Sequence, residues 1–264
     1  MYFSVFGQMK DVIIRITEVL LGIAIIAFLV VFYLQTSEYK KSSEEYEELT
    51  GFVSQAPPEE KTLAQELSEA GIPALAVDFE GLLAKNPDTV GWISLPGLGI
   101  SYPVVQGEDD EYYLHRTFEG EENSSGCIFL ESLSKTDLSD YNTLLFGHNM
   151  KNGTMFGSLK RYANEEGLYA QAPDFFYYTP EASYRFRIYS YYITAPDSHT
   201  YYLCENPEEY GDYVKMALGE SVFDCGVDVD TAASTMTLAT CSGTGRAKKR
   251  FVVHGIMAAK VSNR

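Results

Sequence analysis

Residues 235–255 read TMTLATCSGTGRAKKRFVVHG, and their pattern sets the fold class. A β-branched, apolar run closes on Cys241, Ser242-Gly243-Thr244-Gly245 follows, and a second apolar run opens at Arg250-Phe251. That order spells strand, flexible turn, strand. Working outward, similar runs stand at Gly91-Trp92-Ile93-Ser94-Leu95, Tyr102-Pro103-Val104-Val105, Gly126-Cys127-Ile128-Phe129-Leu130, Thr143-Leu144-Leu145-Phe146 and Tyr184-Arg185-Phe186-Arg187-Ile188-Tyr189. Gly, Pro, Asn and Asp cut them apart. Many short strands between turn residues predict a mainly β domain, a barrel or a sandwich. Residues 207–218, PEEYGDYVKMAL, start with Pro and two acids and stop before Gly219, which predicts a surface helix. Residues 63–85 carry helical spacing in two short pieces, Leu63 with Leu67 and Phe79 with Leu82 and Leu83.

The composition agrees with this reading. Twenty Tyr and 15 Phe beside one Trp suit strands better than a helical bundle. Lys plus Arg number 20 against 37 Asp plus Glu, a formal charge of -17, which argues against a nucleic-acid backbone as partner. Cys127, Cys204, Cys225 and Cys241 form no CxxC pair and no zinc spacing, so no structural metal is expected. Buried thiols are the expectation for Cys127, Cys204 and Cys225, with one disulfide among them as the alternative.

Residues 19–34 are apolar or aromatic throughout apart from Gly22, and the uncharged stretch continues from there to Ser37. Such a run approaches the roughly 20 residues a helix needs to cross a bilayer, and it lacks the small-x-small site of a cleaved leader. The reading divides the chain into 1–11 ahead of the membrane, 12–37 as a transmembrane anchor, 38–62 as a stalk and 63–264 as the folded domain. Lys10 and Arg15 on one side face Lys40 and Lys41 on the other, so charge leaves the orientation open. Those two cations cancel Asp11 and Glu18, so the negative charge belongs to everything beyond the anchor. The stalk, rich in Glu, Lys and Ser with Pro57-Pro58, reads as solvated with some helical character.

Four histidines are candidates for chemistry, and His115, His199 and His254 read as ordinary surface or core residues. His148 differs, because Leu145-Phe146-Gly147-His148 delivers it to a strand end, where side chains enter clefts. Cys241 likewise ends a strand beside flexible backbone. A nucleophilic thiol needs a positive neighbourhood, and Arg246, Lys248, Lys249 and Arg250 supply one in an acidic chain. Arg250 opens the returning strand. If the two strands pair, its guanidinium comes back beside Cys241, able to hold an oxyanion.

These residues resemble the class B sortases. The resemblance rests on TLATC with an Arg nine residues on in RFVVHG, on LFGHNMKNGTMFGSL, and on NPDTVGWISLPGLGISYPVVQG, EYYLHRTFEG and GCIFLE in the same order. It reaches from about residue 77 to the C-terminus. It implies a closed eight-stranded β-barrel with N-terminal helices, one extra helix at 207–218, a transmembrane helix with its N-terminus cytoplasmic, and an extracytoplasmic domain on a Gram-positive cell. It places the catalytic residues at His148, Cys241 and Arg250, and substrate-groove positions at Leu114, Tyr201 and Tyr202. One departure is Ala239, where the family commonly has Ser, which bears on substrate preference.

The implied reaction is cysteine transpeptidation without cofactor or metal: a secreted protein's C-terminal sorting signal is cleaved after Thr, and the acyl group passes to an amine of a peptidoglycan precursor or a pilin. Besides these partners, the N-terminal helix would contact membrane lipid. Two rivals use the same residues differently, a cysteine peptidase with water as acceptor and a non-catalytic, membrane-tethered binding module. Amide exchange with an added amine separates the first, and the effect of Cys241→Ala the second.

Overall fold

The structure, a computed structural model, describes residues 2–55, 61–241 and 249–263. The turn expected at 242–248, with Arg246 and Lys248, lies outside the described residues, as does 56–60 with its two prolines. The chain divides into two compact units, Met1–Glu44 and Glu45–Arg264.

The first unit is helical, part of α1 (Tyr2–Leu49). Its side chains from Ile13 to Leu34 are exposed and almost all apolar. At 1.5 Å per residue that stretch is about 33 Å long, close to the thickness of a bilayer's hydrocarbon core. By length and composition it is a helix able to span a membrane.

The second unit opens with the last turn of α1, where Tyr46 and Leu49 are buried in the core. A small ribbon follows, β1 (Val53–Gln55) antiparallel to β2 (Leu75–Val77), with α2 (Lys61–Glu69) between them. Next comes α3 (Phe79–Lys85), capped by Asp78, whose carboxylate accepts from the Gly81 amide. The expected two helical pieces in 63–85 are thus α2 and α3.

Eight further strands close a barrel: β3 (Thr89–Leu95), β4 (Ile100–Val105), β5 (Ile128–Leu130), β6 (Asn142–His148), β7 (Asp174–Tyr178), β8 (Ala182–Thr194), β9 (Thr235–Cys241) and β10 (Arg250–Ser262). Their order around the barrel is β10-β8-β7-β3-β4-β5-β6-β9. Closure leaves no free sheet edge. Two pairings are parallel, β4 with β5 and β6 with β9; the rest are antiparallel.

Three short helices decorate it, α4 (Arg161–Asn164), α5 (Leu168–Gln171) and α6 (Pro207–Glu220). α6 begins as expected, with Asn206 accepting from the Glu209 amide and Pro207 in the first turn, and runs two residues past the anticipated Leu218. It lies outside the barrel over β8, β9 and β10, where Tyr213 reaches Thr237 and His254. Alternation along the strands then turns Leu145, Leu238 and Val253 inward, all fully buried. Cys127, Cys204 and Cys225 are free thiols, only Cys127 fully buried.

Candidate active site

Because β6 and β9 run parallel, their C-terminal ends reach the same rim of the barrel, and the register sets His148 opposite Cys241. β10 runs antiparallel along the other side of β9, with Val252 opposite Ala239. Arg250 opens β10 two residues before Val252 and pairs with Thr194 of β8. Strands pair about 4.8 Å apart, so the backbones of residues 148 and 241 are neighbours across the β6–β9 pair.

The local sequence explains why His148 reaches that rim. Gly147 lies so close to its neighbours that a Cβ would stand 2.4 Å from Ile128 Cδ1 and 2.8 Å from Phe156 Cδ2. Only hydrogen fits there. The half-buried His148 then places Nε2 2.6 Å from the Leu114 carbonyl oxygen. A carbonyl only accepts, so Nε2 carries the proton, and a neutral ring keeps its lone pair on Nδ1. Burial holds the imidazole pKa below its ordinary value; the Leu114 carbonyl opposes that shift, and the nearby His115 adds to it. The ring is therefore neutral at neutral pH.

Arg250 lays its guanidinium carbon 5.3 Å from the Tyr201 ring centre and 5.8 Å from that of Phe146, and the two rings themselves stack at 6.0 Å. Cation–π contact fixes the group in place. Its Nε is buried and has no hydrogen-bond partner among the described residues. A buried donor left unmatched is costly, and a substrate oxygen would relieve it.

Among the residues expected from sequence, His148 meets Leu114, Arg250 meets Tyr201, and Cys241 stands opposite His148 by register. Leu114 contributes its carbonyl, and Tyr201 supports the arginine. Tyr202 is exposed and sets its ring 4.7 Å from that of His199 at a tilt of 59°, while its carbonyl accepts from Asn142 Nδ2. It lines a cavity of about 650 Å³ beside α6, with Leu203, Cys204, Glu209 and Met216. Phe146 was not anticipated as a part of the site. Phe146 had a signal available, since it stands two residues before the histidine and hence on the same strand face.

A Sortase domain model matches residues 93–258. Sortase B of Listeria monocytogenes is 34% identical over 186 residues, covering 69% of this chain and 75% of that protein. Sortase B of Staphylococcus aureus is 32% identical over 177 residues, covering 66% of this chain and 72% of that protein. Among solved structures, a Staphylococcus aureus sortase B–substrate complex superposes with a TM-score of 0.70 at 28% identity, covering 84% of this chain and 98% of that one. Family domain, sequence relatives and barrel all agree: this chain belongs to the class B sortases, and its chemistry is that of a cysteine transpeptidase.

Proposed function

We propose that the chain cleaves a C-terminal sorting signal after its Thr and joins the acyl fragment to an amine of a peptidoglycan precursor or a pilin. Cys241 is the nucleophile, His148 the general acid and base, and Arg250 the donor to the oxyanion. The observation that carries this reading is the parallel register of β6 and β9, which sets residue 148 opposite residue 241. Its support in side-chain chemistry is the neutral imidazole with Nδ1 free to take a proton, and the unmatched Nε of Arg250.

The steps follow from those groups. Nδ1 of His148 takes the thiol proton, and the Cys241 sulfur attacks the Thr carbonyl carbon. Charge develops on the carbonyl oxygen, where the guanidinium stabilises it. The carbon–nitrogen bond breaks as the imidazolium hands its proton to the leaving amine, which leaves a thioester. An incoming amine then attacks the thioester, gives its proton to the imidazole, and forms the new amide as the thiol is restored. No cofactor enters these steps.

Residues 12–37 would anchor the enzyme with its N-terminus in the cytoplasm and the barrel outside, where sorting signals and wall precursors meet. Ala239, fully buried opposite Phe146, takes the place of the common Ser and removes one hydroxyl from the row below Cys241, so the preferred signal would differ from that of Ser-bearing relatives.

The test is to incubate the purified full chain with a sorting-signal peptide and a glycine-terminated amine and identify the products by mass spectrometry. A ligated amide that vanishes with Cys241→Ala is the expected result. Hydrolysis with no amide at any amine concentration, or full activity of the variant, would overturn the reading.

A further inference from the structure

The buried end of α1 makes a polar contact that the reaction itself does not require. Tyr46 donates its hydroxyl to the Gly126 carbonyl at 2.7 Å, and the oxygen also lies 3.4 Å from Cys127 Sγ. Burial pushes the phenol's pKa far up, so it remains a neutral donor at any working pH. Gly126 adopts φ +56°, and a Cβ there would stand 2.7 Å from the Leu114 oxygen, 2.8 Å from the Tyr113 oxygen and 3.0 Å from His148 Cδ2. Its backbone is thus pressed against both the imidazole and the carbonyl that holds it. The next amide, Cys127 N–H, donates to the Tyr113 carbonyl at 2.9 Å and ties the two segments together.

A second route runs from the same ring. Tyr46 packs edge-on against Tyr102 at 5.4 Å, and the Tyr102 hydroxyl accepts from the Met155 amide at 3.2 Å. The adjoining Phe156 amide donates to the His148 carbonyl at 3.0 Å. Both the ring and the backbone of His148 therefore lean on groups that Tyr46 holds.

We propose that Tyr46 is a positioning residue for transpeptidation: through Gly126 it fixes the Leu114 carbonyl, and so keeps His148 in the tautomer with Nδ1 free. This rests on His148 acting as the general acid and base. Tyr46 takes no part in the bond-making steps of this scheme. Its hydroxyl sets the orientation of a group that does the chemistry, which links the end of the anchor helix to the reaction centre.

The test compares Tyr46→Phe with Leu49→Ala in the full chain held in detergent micelles. Leu49 is buried on the same helix end but offers no hydrogen bond, so it controls for loosened packing. Nitrogen-15 NMR of labelled histidine, with His148 assigned through His148→Gln, reports the tautomer directly. The wild type is expected to show protonated Nε2 alone. Tyr46→Phe is expected to show mixed tautomers, a kcat lowered about five- to tenfold with KM nearly unchanged, and an acid limb of kcat/KM moved to lower pH as the carbonyl's support weakens. Leu49→Ala should lower the melting temperature yet keep the wild-type spectrum and pH profile. An unchanged spectrum and profile in Tyr46→Phe overturns the proposal, as does an equal change in Leu49→Ala. Transfer activity that survives in His148→Gln removes the catalytic reading beneath it, whatever the Tyr46→Phe spectra show.

Discussion

Arg250 spends its planar group on two aromatic faces and still keeps a buried Nε unmatched. A lysine would retain the charge but lose the fork and the stacking. Arg250→Lys is therefore expected to lower kcat/KM about 10²-fold in a peptide-transfer assay, in line with the loss of one oxyanion donor. An undiminished rate would show that the guanidinium does not meet developing charge. His148 gives a second prediction at this scale. Its pKa is held below the ordinary 6.5, chiefly by burial. The acid limb of kcat/KM for the wild type should accordingly lie below pH 6.5, read from a pH series with a sorting-signal peptide. The candidate residues were legible here because a thiol beside flexible backbone and a sudden basic cluster are visible in sequence. The part played by Leu114 was not, since it acts through a carbonyl that every residue possesses.

Between α6 and the barrel, a polar layer is sealed from water. His254 on β10 is fully buried, with Nδ1 2.9 Å from Thr237 Oγ1 and 3.2 Å from the Tyr213 hydroxyl, and its ring stacks on Tyr192. Burial lowers its pKa from 6.5 to about 3. The unfolded chain thus takes up this proton first, so the histidine's contribution is intact above pH 6.5 and erodes as pH falls toward 3. Stability from urea unfolding should drop by up to about 1.4 kcal/mol per pH unit inside that window. His254→Gln, whose amide oxygen can accept from the same hydroxyls, should flatten the slope even if it costs stability at neutral pH; an unaltered slope would assign the effect to other groups. On β6, Gly147→Ala should destabilise by about 1–3 kcal/mol through its clash with Ile128 and Phe156. Most strands were readable from their Gly and Pro boundaries. β7 was not, because Asp174-Phe175-Phe176-Tyr177-Tyr178 is buried from Phe175 on and shows no polar alternation to betray it.

At the scale of the whole chain, the folded unit reaches back to Glu45. Tyr46 and Leu49 were hidden from sequence reading because Glu44, Glu45, Glu47 and Glu48 surround them, and two apolar residues among four acids look like a solvated stalk. A chain cut to begin at Glu45 should unfold in urea much as the complete protein does. One cut to begin at Leu63 loses both buried side chains and β1, and should be weaker by at least about 2–5 kcal/mol, the cost of emptying one leucine site alone. Equal stability of the two would mean that the segment before Leu63 adds nothing to the core.

The parallel union of β6 and β9 joins stretches remote from each other along the polypeptide. During synthesis the imidazole emerges long before the sulfur, and no local contact can introduce them. Until the barrel shuts, nothing holds residues 148 and 241 side by side. Such long-range pairings are among the slowest to form. Completion of the fold is what sets the two positions opposite each other.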